Sequence, residues 1–483
     1  VRQLENFIEG RWVAPRGAPQ ALVTNPATAR PLASLPVSDA DAVNAAAAAA
    51  ERACALWRRV PAIERAQFLF RFRQLLEEHQ LELARLVTDE CGKTRAESMA
   101  ELRRGLESVE TACGAPAWLQ GRNNEDIAAG IDEHLFRQPL GVVAAITPFN
   151  FPAMIPLWFL PFAIACGNCI IVKPSERVSI TSVRLFELLA QTGLPAGVAQ
   201  LVLGGRQTAD LLIDHPVVQA VSFVGSTAAA RDVYARAARA GKRAQCQGGA
   251  KNAVVILPDA DLEGATAIVA ESAFGCAGQR CLAASLAITV GGAADGFGGA
   301  IAKAAQQRAV GYGWHDGVQM GPLISRESQQ RVTQLIGAGC QEGAQPRCDG
   351  RGRKVVDFEE GFFVYPTVLE GVSPVGLIAQ TEIFGPVLGL IEARDLDEAI
   401  QMVNAGRYGN MACLFTSSGA AARRFRHEVT AGNVGINIGV AAPMAAYPFS
   451  GCKESFFGDL HAQGRHAFEF YTQTKVVVER WPR

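Results

Sequence analysis

The chain has 483 residues, 49% hydrophobic and 19% charged, with 48 glycines, which fits a large, compact, soluble protein of about two to four domains. Lys+Arg 46 against Asp+Glu 47 leaves a net charge of -1, which argues against a protein that wraps nucleic acid, because phosphate binding takes a surplus of cations. No apolar run reaches the roughly 18 residues of a membrane span, since the greasiest stretch, 151-FPAMIPLWFLPFAIACG-167, is cut by three prolines.

In chain order, a short β-rich lead opens on VRQLENFIEGRWV, which carries no signal-peptide core, so the expectation is a cytoplasmic protein. The run Ser38-Asp39-Ala40-Asp41 reads as a capping box ahead of an alanine-rich helix to about Trp57. Further helices are expected over about 62–78 and from about Lys93 to Trp118. From Pro139 the pattern turns to strands and helices in alternation. The predicted strands are 140-LGVVAAI-146, 169-CIIVK-173, 200-QLVLG-204 and 220-AVSFVG-225, with helices at 152–165 and 179–191. Continuous apolar strands alternating with helices predict a parallel sheet covered on both faces. A second alternating series starts at 252-NAVVIL-257 and runs to about residue 430, which places a domain junction near Gly248–Lys251. The tail, 466-HAFEFYTQTKVVVERW-481, ends in a β-rich strand with nothing left in the chain to pair it. Together with 122–138 it forms either an arm that pairs with other subunits or an edge strand on its own domain.

The 12 cysteines are scattered through a long chain, which predicts reduced thiols. Cys166 and Cys169 spell C-x-x-C, a redox or zinc signature elsewhere; here no second pair accompanies them, and buried small residues are the reading. No metal site is expected. The pair Cys276 and Cys281, in 275-GCAGQRCLAA-284, raises the question of a nucleophile, with Arg280 directly before the second thiol.

A dinucleotide-binding sheet usually carries G-x-G-x-x-G after its first strand, and that motif is absent. In its place 223-FVGSTAAA-230 ends a strand in Gly225-Ser226 at a helix start, where free N–H groups can face a pyrophosphate. The stretches 147-TPFNFP-152 and 172-VKPSE-176 each follow a buried strand. Lys173 and Glu176 at a strand's carboxyl end can hydrogen-bond ribose hydroxyls, or stand as solvated loop charges. Asn150 lies between two aromatics and before a proline. In 381-TEIFGPVL-388, Glu382 stands near Phe384 in an apolar segment.

The ordered set PFNFP, KPSE, FVGST, GGAK, GQRC, EIFGP and a terminal PFSG resembles the NAD(P)-dependent aldehyde dehydrogenase superfamily across essentially the whole chain. The resemblance implies a Rossmann-like parallel-sheet NAD-binding domain over 1–121 and 139–249 and an α/β catalytic domain over 250–432. It also implies a small β oligomerisation arm over 122–138 and 465–483, with 433–464 returning beside the substrate pocket, in a homotetramer or homodimer. It selects Cys281 as the nucleophile and leaves Cys276 to packing. Asn150 and the Cys281 backbone N–H would donate to the oxyanion. Glu382 would hold the nicotinamide ribose, Lys173 and Glu176 the adenosine ribose, with Thr147, Phe149, Gly225, Ser226 and Phe384 completing the cofactor site. An acidic group at the adenosine ribose favours NAD over NADP.

Most members of that superfamily carry E-L-G-G-K, whose glutamate activates the water that hydrolyses the thioester. This chain reads 247-QGGAK-251, and the neutral amide of Gln247 cannot take a proton from water. The coenzyme A-acylating methylmalonate- and malonate-semialdehyde dehydrogenases also lack that glutamate. GGAKNAVV, PDADL, GQRC, FGDL with FYTQTK, and 103-RRGLESVETAC-113 are similar to that branch. The resemblance implies that Arg104 and Arg280 bind the substrate carboxylate and that coenzyme A is a co-substrate, with loss of CO2. Gln247, Cys246 and the middle of 438-IGVAAPMAAYPFSGCKESF-456 depart from the branch. A hydrolytic NAD(P)-dependent enzyme for another anionic semialdehyde is the alternative, and a scaffold kept for binding a third.

Overall fold

The computed structural model describes residues 1–14 and 17–481, the side chain of residue 295 excepted. Residues 15, 16, 482 and 483, which fall in the expected first domain and arm, lie outside the described residues.

The sequence alternation becomes two twisted sheets flanked by helices. The first has eight strands in the order Phe456–Phe457, Arg243–Gln247, Val218–Val224, Val142–Ile146, Cys169–Lys173, Ala199–Leu201, Asn6–Ile8 and Arg11–Val13. Its central pairings are parallel and its outer ones antiparallel. Every residue of Val142–Ile146 and Cys169–Lys173 is buried, as unbroken apolar runs require of strands covered on both faces. The chain runs outward from Val142–Ile146 through Cys169–Lys173 to Ala199–Leu201. It then returns to place Val218–Val224 and Arg243–Gln247 on the opposite side. That reversal opens a crevice at the carboxyl ends of Val142–Ile146 and Val218–Val224, where open parallel sheets bind ligands.

The second sheet has seven strands, ordered Gln345–Cys348, Thr367–Glu370, Val387–Ala393, Ala284–Val290, Asn252–Ile256, Met411–Phe415 and Asn433–Ile436. All its pairings are parallel except the first. The chain passes from one sheet to the other between Gln247 and Asn252. One buried hydrophobic cluster spans both layers.

The helical lead differs from the expectation in three places. The first helix, Ala40–Trp57, is capped by the Asp39 carboxylate, which accepts from the Ala42 N–H. Ser38 takes no part in a box there, because its hydroxyl accepts from Asn6 Nδ2. A helix over Gln80–Cys91 was not foreseen; it ends at Gly92 in the left-handed conformation, φ 86°. The helix expected from Lys93 to Trp118 is Arg95–Cys113, opened by a capping box of Thr94 and Glu97. A short turn over Ala115–Trp118 follows it.

The tail also differs. Residues Gly464–Phe470 are helical, and the strand Thr472–Glu479 does find a partner in the chain, pairing antiparallel with Ile131–Pro139 in the register Thr472↔Pro139 to Glu479↔Asp132. Arg122–Ala128 pairs on the other edge of Ile131–Pro139. This three-stranded sheet leaves Ile127, Phe136, Val476 and Val478 exposed. Among the described residues no helix is long and apolar enough to cross a membrane.

Candidate active site

A cleft of about 740 Å³ occupies the crevice at the strand reversal, within the roughly 300–1,000 Å³ usual for ligand sites. Its wall brings together Cys281 and Asn150, Thr147 and Phe149, Lys173 and Glu176, Gly225 and Ser226, and Glu382 and Phe384. These residues come from both sheets. The first sheet contributes the carboxyl ends of its parallel strands. The second contributes amino ends, since Cys281 lies just before Ala284–Val290.

On the first-sheet side, the Thr147 N–H donates to the Lys173 carbonyl at 3.1 Å, while its hydroxyl is buried with no partner among the described residues. Lys173 Nζ donates to the Gly204 carbonyl at 2.8 Å and lies 3.7 Å from the Glu176 carboxylate. Burial pushes the Lys173 ammonium below its ordinary range, and Glu176 opposes the shift. Gly225 is needed as glycine, because a Cβ there would lie 2.5 Å from the Phe223 ring. Ser226 caps the helix Thr227–Arg239 by accepting from the Ala229 N–H. A pyrophosphate-bearing dinucleotide fits these groups: an uncommitted hydroxyl and a helix start that can donate to it, and a half-exposed carboxylate that can accept from ribose hydroxyls.

On the far side, Glu382 Oε1 accepts from the Ala250 N–H at 2.8 Å, and a Cβ on Gly249 would collide with the other carboxylate oxygen. Burial pushes the Glu382 carboxyl up, against the Ala250 bond and the charges of Arg331 and Lys251. Phe384 has φ 54° and meets Phe149 edge to face, ring centres 5.8 Å apart.

The two cysteines separate cleanly by position. Cys276 is 6% exposed, with its N–H donating to Glu97 Oε1 at 2.5 Å, and it faces a small interior gap with Cys91, Lys93 and Asn150. Cys276, Ala277 and Gly278 all take positive φ, 52°, 52° and 71°, a left-handed turn that two non-glycines adopt only under constraint. At Gly278 a Cβ would run into the Gly385 carbonyl. The turn delivers Cys281 to the cleft. Its carbonyl is gripped by two amides, Asn252 Nδ2 at 2.8 Å and Asn410 Nδ2 at 2.9 Å. Burial pushes the Cys281 thiol up to about 12, with Glu382 adding to the shift and Arg280 opposing it. The resting group is therefore a thiol, with a cation beside it that favours ionisation.

Asn150 is 5% exposed, and its Nδ2 donates to the Gln279 carbonyl at 2.9 Å. The loop that carries it is held from behind. Glu101 Oε1 accepts from the N–H groups of Ala153 and Met154, and Glu101 Oε2 pairs with Lys93 Nζ, which sits 3.5 Å from the centre of the Phe151 ring.

Arg104, Arg280 and Gln247 do not line the cleft. Arg280 Nη2 donates to the Glu271 and Ser272 carbonyls, and its Nε is buried without a partner. Arg104 pairs with Glu107 at 2.7 Å and donates to the Pro443 carbonyl. Arg104 meets the segment 439–444 at Pro443, and Arg280 is linked to it only through Ser272, whose hydroxyl donates to the Gly439 carbonyl. Gln247 is buried and donates through Nε2 to the Phe449 carbonyl at 3.1 Å. Cys166 and Cys169 are buried and unbridged, and no cluster among the described residues could hold a metal ion.

Sequence reasoning missed Asn252, Asn410, Glu97, Glu101, Arg331 and Lys251. Asn252 left a faint signal, an amide opening an otherwise apolar strand. The rest act across long sequence separations. Lys251 Nζ is buried without a hydrogen-bond partner among the described residues, and burial pushes it down to about 7.

The two-sheet fold, with a cysteine and an amide lining a cleft at the strand reversal, is that of an oxidoreductase of the aldehyde dehydrogenase type. The chain belongs to the aldehyde dehydrogenase family, whose sequence profile matches residues 12–477. It is 47% identical over 480 residues to malonate-semialdehyde dehydrogenase 2 of Geobacillus thermodenitrificans, covering 99% of each chain. It is 43% identical over 481 residues to malonate-semialdehyde dehydrogenase of Pseudomonas aeruginosa, covering 99% of this chain and 97% of that one. Among solved structures, methylmalonate-semialdehyde dehydrogenase from Oceanimonas doudoroffii superposes with a TM-score of 0.98 at 43% identity, covering 100% and 99%. A Sinorhizobium meliloti protein crystallised with NAD superposes equally well, TM-score 0.98, at 39% identity over 100% and 98% of the chains.

Proposed function

We propose that this chain is an NAD-dependent, coenzyme A-acylating dehydrogenase for malonate or methylmalonate semialdehyde, with Cys281 as nucleophile. The observation that carries the reading is Gln247, an amide that donates to the Phe449 carbonyl in a chain of this family. A site without a carboxylate there lacks the base that would direct water at a thioester. The full-length likeness to malonate-semialdehyde dehydrogenases supports the substrate class.

Thr147, Lys173, Glu176, Gly225, Ser226, Glu382 and Phe384 are the residues that would hold NAD, and the carboxylate of Glu176 favours NAD over NADP. Bound there, NAD supplies the two-electron oxidation by accepting hydride from the substrate carbon. The rest falls to the chain. Cys281 gives its proton to solvent and its sulfur bonds the aldehyde carbon, the carbonyl π pair moving onto oxygen to give a thiohemiacetal oxyanion. The oxyanion takes hydrogen bonds from the free hydrogen of Asn150 Nδ2 and from the Cys281 N–H, while Asn252 and Asn410 hold the Cys281 carbonyl in place. Arg104 and Arg280 hold the substrate carboxylate, which requires them to turn from the carbonyls that they now engage. Oxidation leaves an acyl thioester on Cys281. Its β-carboxylate departs as CO2, the electron pair left on the α-carbon takes a proton from solvent, and the coenzyme A thiolate then takes the acetyl or propionyl group and restores the Cys281 thiolate. The exposed three-stranded sheet is the surface through which copies of the chain would associate as a dimer or tetramer.

The test is turnover of malonate semialdehyde and NAD with and without coenzyme A. Coenzyme A should be required for fast steady-state turnover, with acetyl-CoA as product. A free acid made at full speed without it would replace this reading with a hydrolytic one.

A further inference from the structure

A branch of about 450 Å³ opens off the cleft and shares Ser226, Arg331 and Glu382 with it. It lies against the first turn of the 13-residue helix Thr227–Arg239, and three guanidinium groups from three separate elements wall it: Arg231, Arg331 and Arg407. We propose that this branch is a phosphate subsite for the nucleotide end of coenzyme A. The proposal rests on the acyl-acceptor reading above and deepens it.

The charges around the branch do not balance. Arg231 and Arg407 share one carboxylate, Glu454, at 3.1 Å and 2.8 Å. Among the described residues Arg331 has no carboxylate partner within ion-pair distance; it donates to the carbonyls of Glu382 and Ile383, at 2.5 Å and 2.6 Å. Glu382, the remaining carboxylate, is taken by the Ala250 N–H. Three cations therefore face two anions. Behind the branch, Arg407 and Tyr408 also wall a second cavity. That cavity carries Lys251, whose Nζ is buried with no hydrogen-bond partner among the described residues.

The side chains of Arg231 and Arg407 are 57% and 50% exposed. Long side chains on a solvent-facing wall can swing from Glu454 to an arriving phosphate, and guanidinium forks suit its oxygens. The neutral pantetheine arm has only to run along the shared wall toward Cys281, which lines the same cleft.

Four variants, Arg231→Gln and Arg407→Gln as singles and as a double, and Glu454→Gln alone, test the subsite through KM values for coenzyme A, pantetheine and NAD. The single-turnover NADH burst without any thiol controls for folding. Loss of charged hydrogen bonds should raise KM for coenzyme A about tenfold or more in the double variant. KM for pantetheine, KM for NAD and the burst should stay at wild-type values. Glu454→Gln, which frees both guanidinium groups, should lower KM for coenzyme A. An unchanged KM for coenzyme A in the double variant overturns the subsite, as does a parallel rise in KM for NAD, which would give these arginines to the dinucleotide. A wild-type enzyme that neither thiol accelerates overturns the acyl-acceptor reading itself, and the subsite with it.

Discussion

Asn150 donates one amide hydrogen to the carbonyl of Gln279, two residues ahead of Cys281. That bond fixes the amide plane and leaves the second hydrogen free, and in the proposed reaction it would meet the oxyanion on the aldehyde oxygen. Asn150→Ala should slow the NADH burst by roughly 10²–10³-fold, the usual loss for one oxyanion donor. NAD binding, followed by fluorescence titration, should be nearly unchanged. A burst of normal speed would remove Asn150 from the chemistry.

The Cys281 thiol is set by burial first, then by Glu382 and Arg280 with opposite signs. Removing the anion should lower its pKa, and removing the cation should raise it. In the free enzyme, iodoacetamide labelling of Cys281 should accelerate as pH rises from about 7 to 10, since only the thiolate reacts. Glu382→Gln should move that profile to lower pH and Arg280→Leu to higher pH. Shifts in the reverse directions would contradict the electrostatic account.

Lys93 and Glu101 form an ion pair with side chains 2% and 0% exposed, and Glu101 also carries the N–H groups of Ala153 and Met154. Breaking such a pair from one side costs about 3–5 kcal/mol. Glu101→Gln should therefore lower the unfolding temperature and slow the burst, because the Asn150 loop loses its support. The Lys93→Met/Glu101→Met pair should recover part of the stability, as measured by thermal unfolding, but not the burst.

Arg104→Leu and Arg280→Leu should each cost roughly 2–5 kcal/mol of transition-state binding for a carboxylated aldehyde. The loss in kcat/KM for propanal should be far smaller. Equal losses on charged and neutral aldehydes would mean that the arginines serve only the carbonyls they touch here, those of Pro443, Glu271 and Ser272.

The parallel strands were the most legible part of the chain. Cys169–Lys173 matches 169-CIIVK-173 end to end, because burial on both faces leaves an unbroken apolar run. The order of the strands, and so the crevice, was not legible, since pattern says nothing of which strand returns beside Val142–Ile146. The missed helix Gln80–Cys91 follows His79 without a cap hydrogen bond, so no side-chain signal marks its start. The cleft residues lay in recognisable motifs at strand ends. The supports did not, because Asn410 reaches the Cys281 carbonyl across 129 positions and Glu97 reaches the Cys276 N–H across 179. The carbonyl partners of Arg280 could not be foreseen either, as a backbone acceptor leaves no mark in a sequence.

The central claim is that an acyl group waits on Cys281 until coenzyme A takes it. Its most direct test is peptide mass spectrometry of enzyme quenched after one turnover of malonate semialdehyde and NAD without coenzyme A. The account predicts an acyl adduct on the peptide that contains Cys281, stable over many wild-type turnover times. Coenzyme A should then discharge it as the matching thioester. An adduct that vanishes equally fast without coenzyme A, giving the free acid, would contradict the account, as would an adduct on any other cysteine.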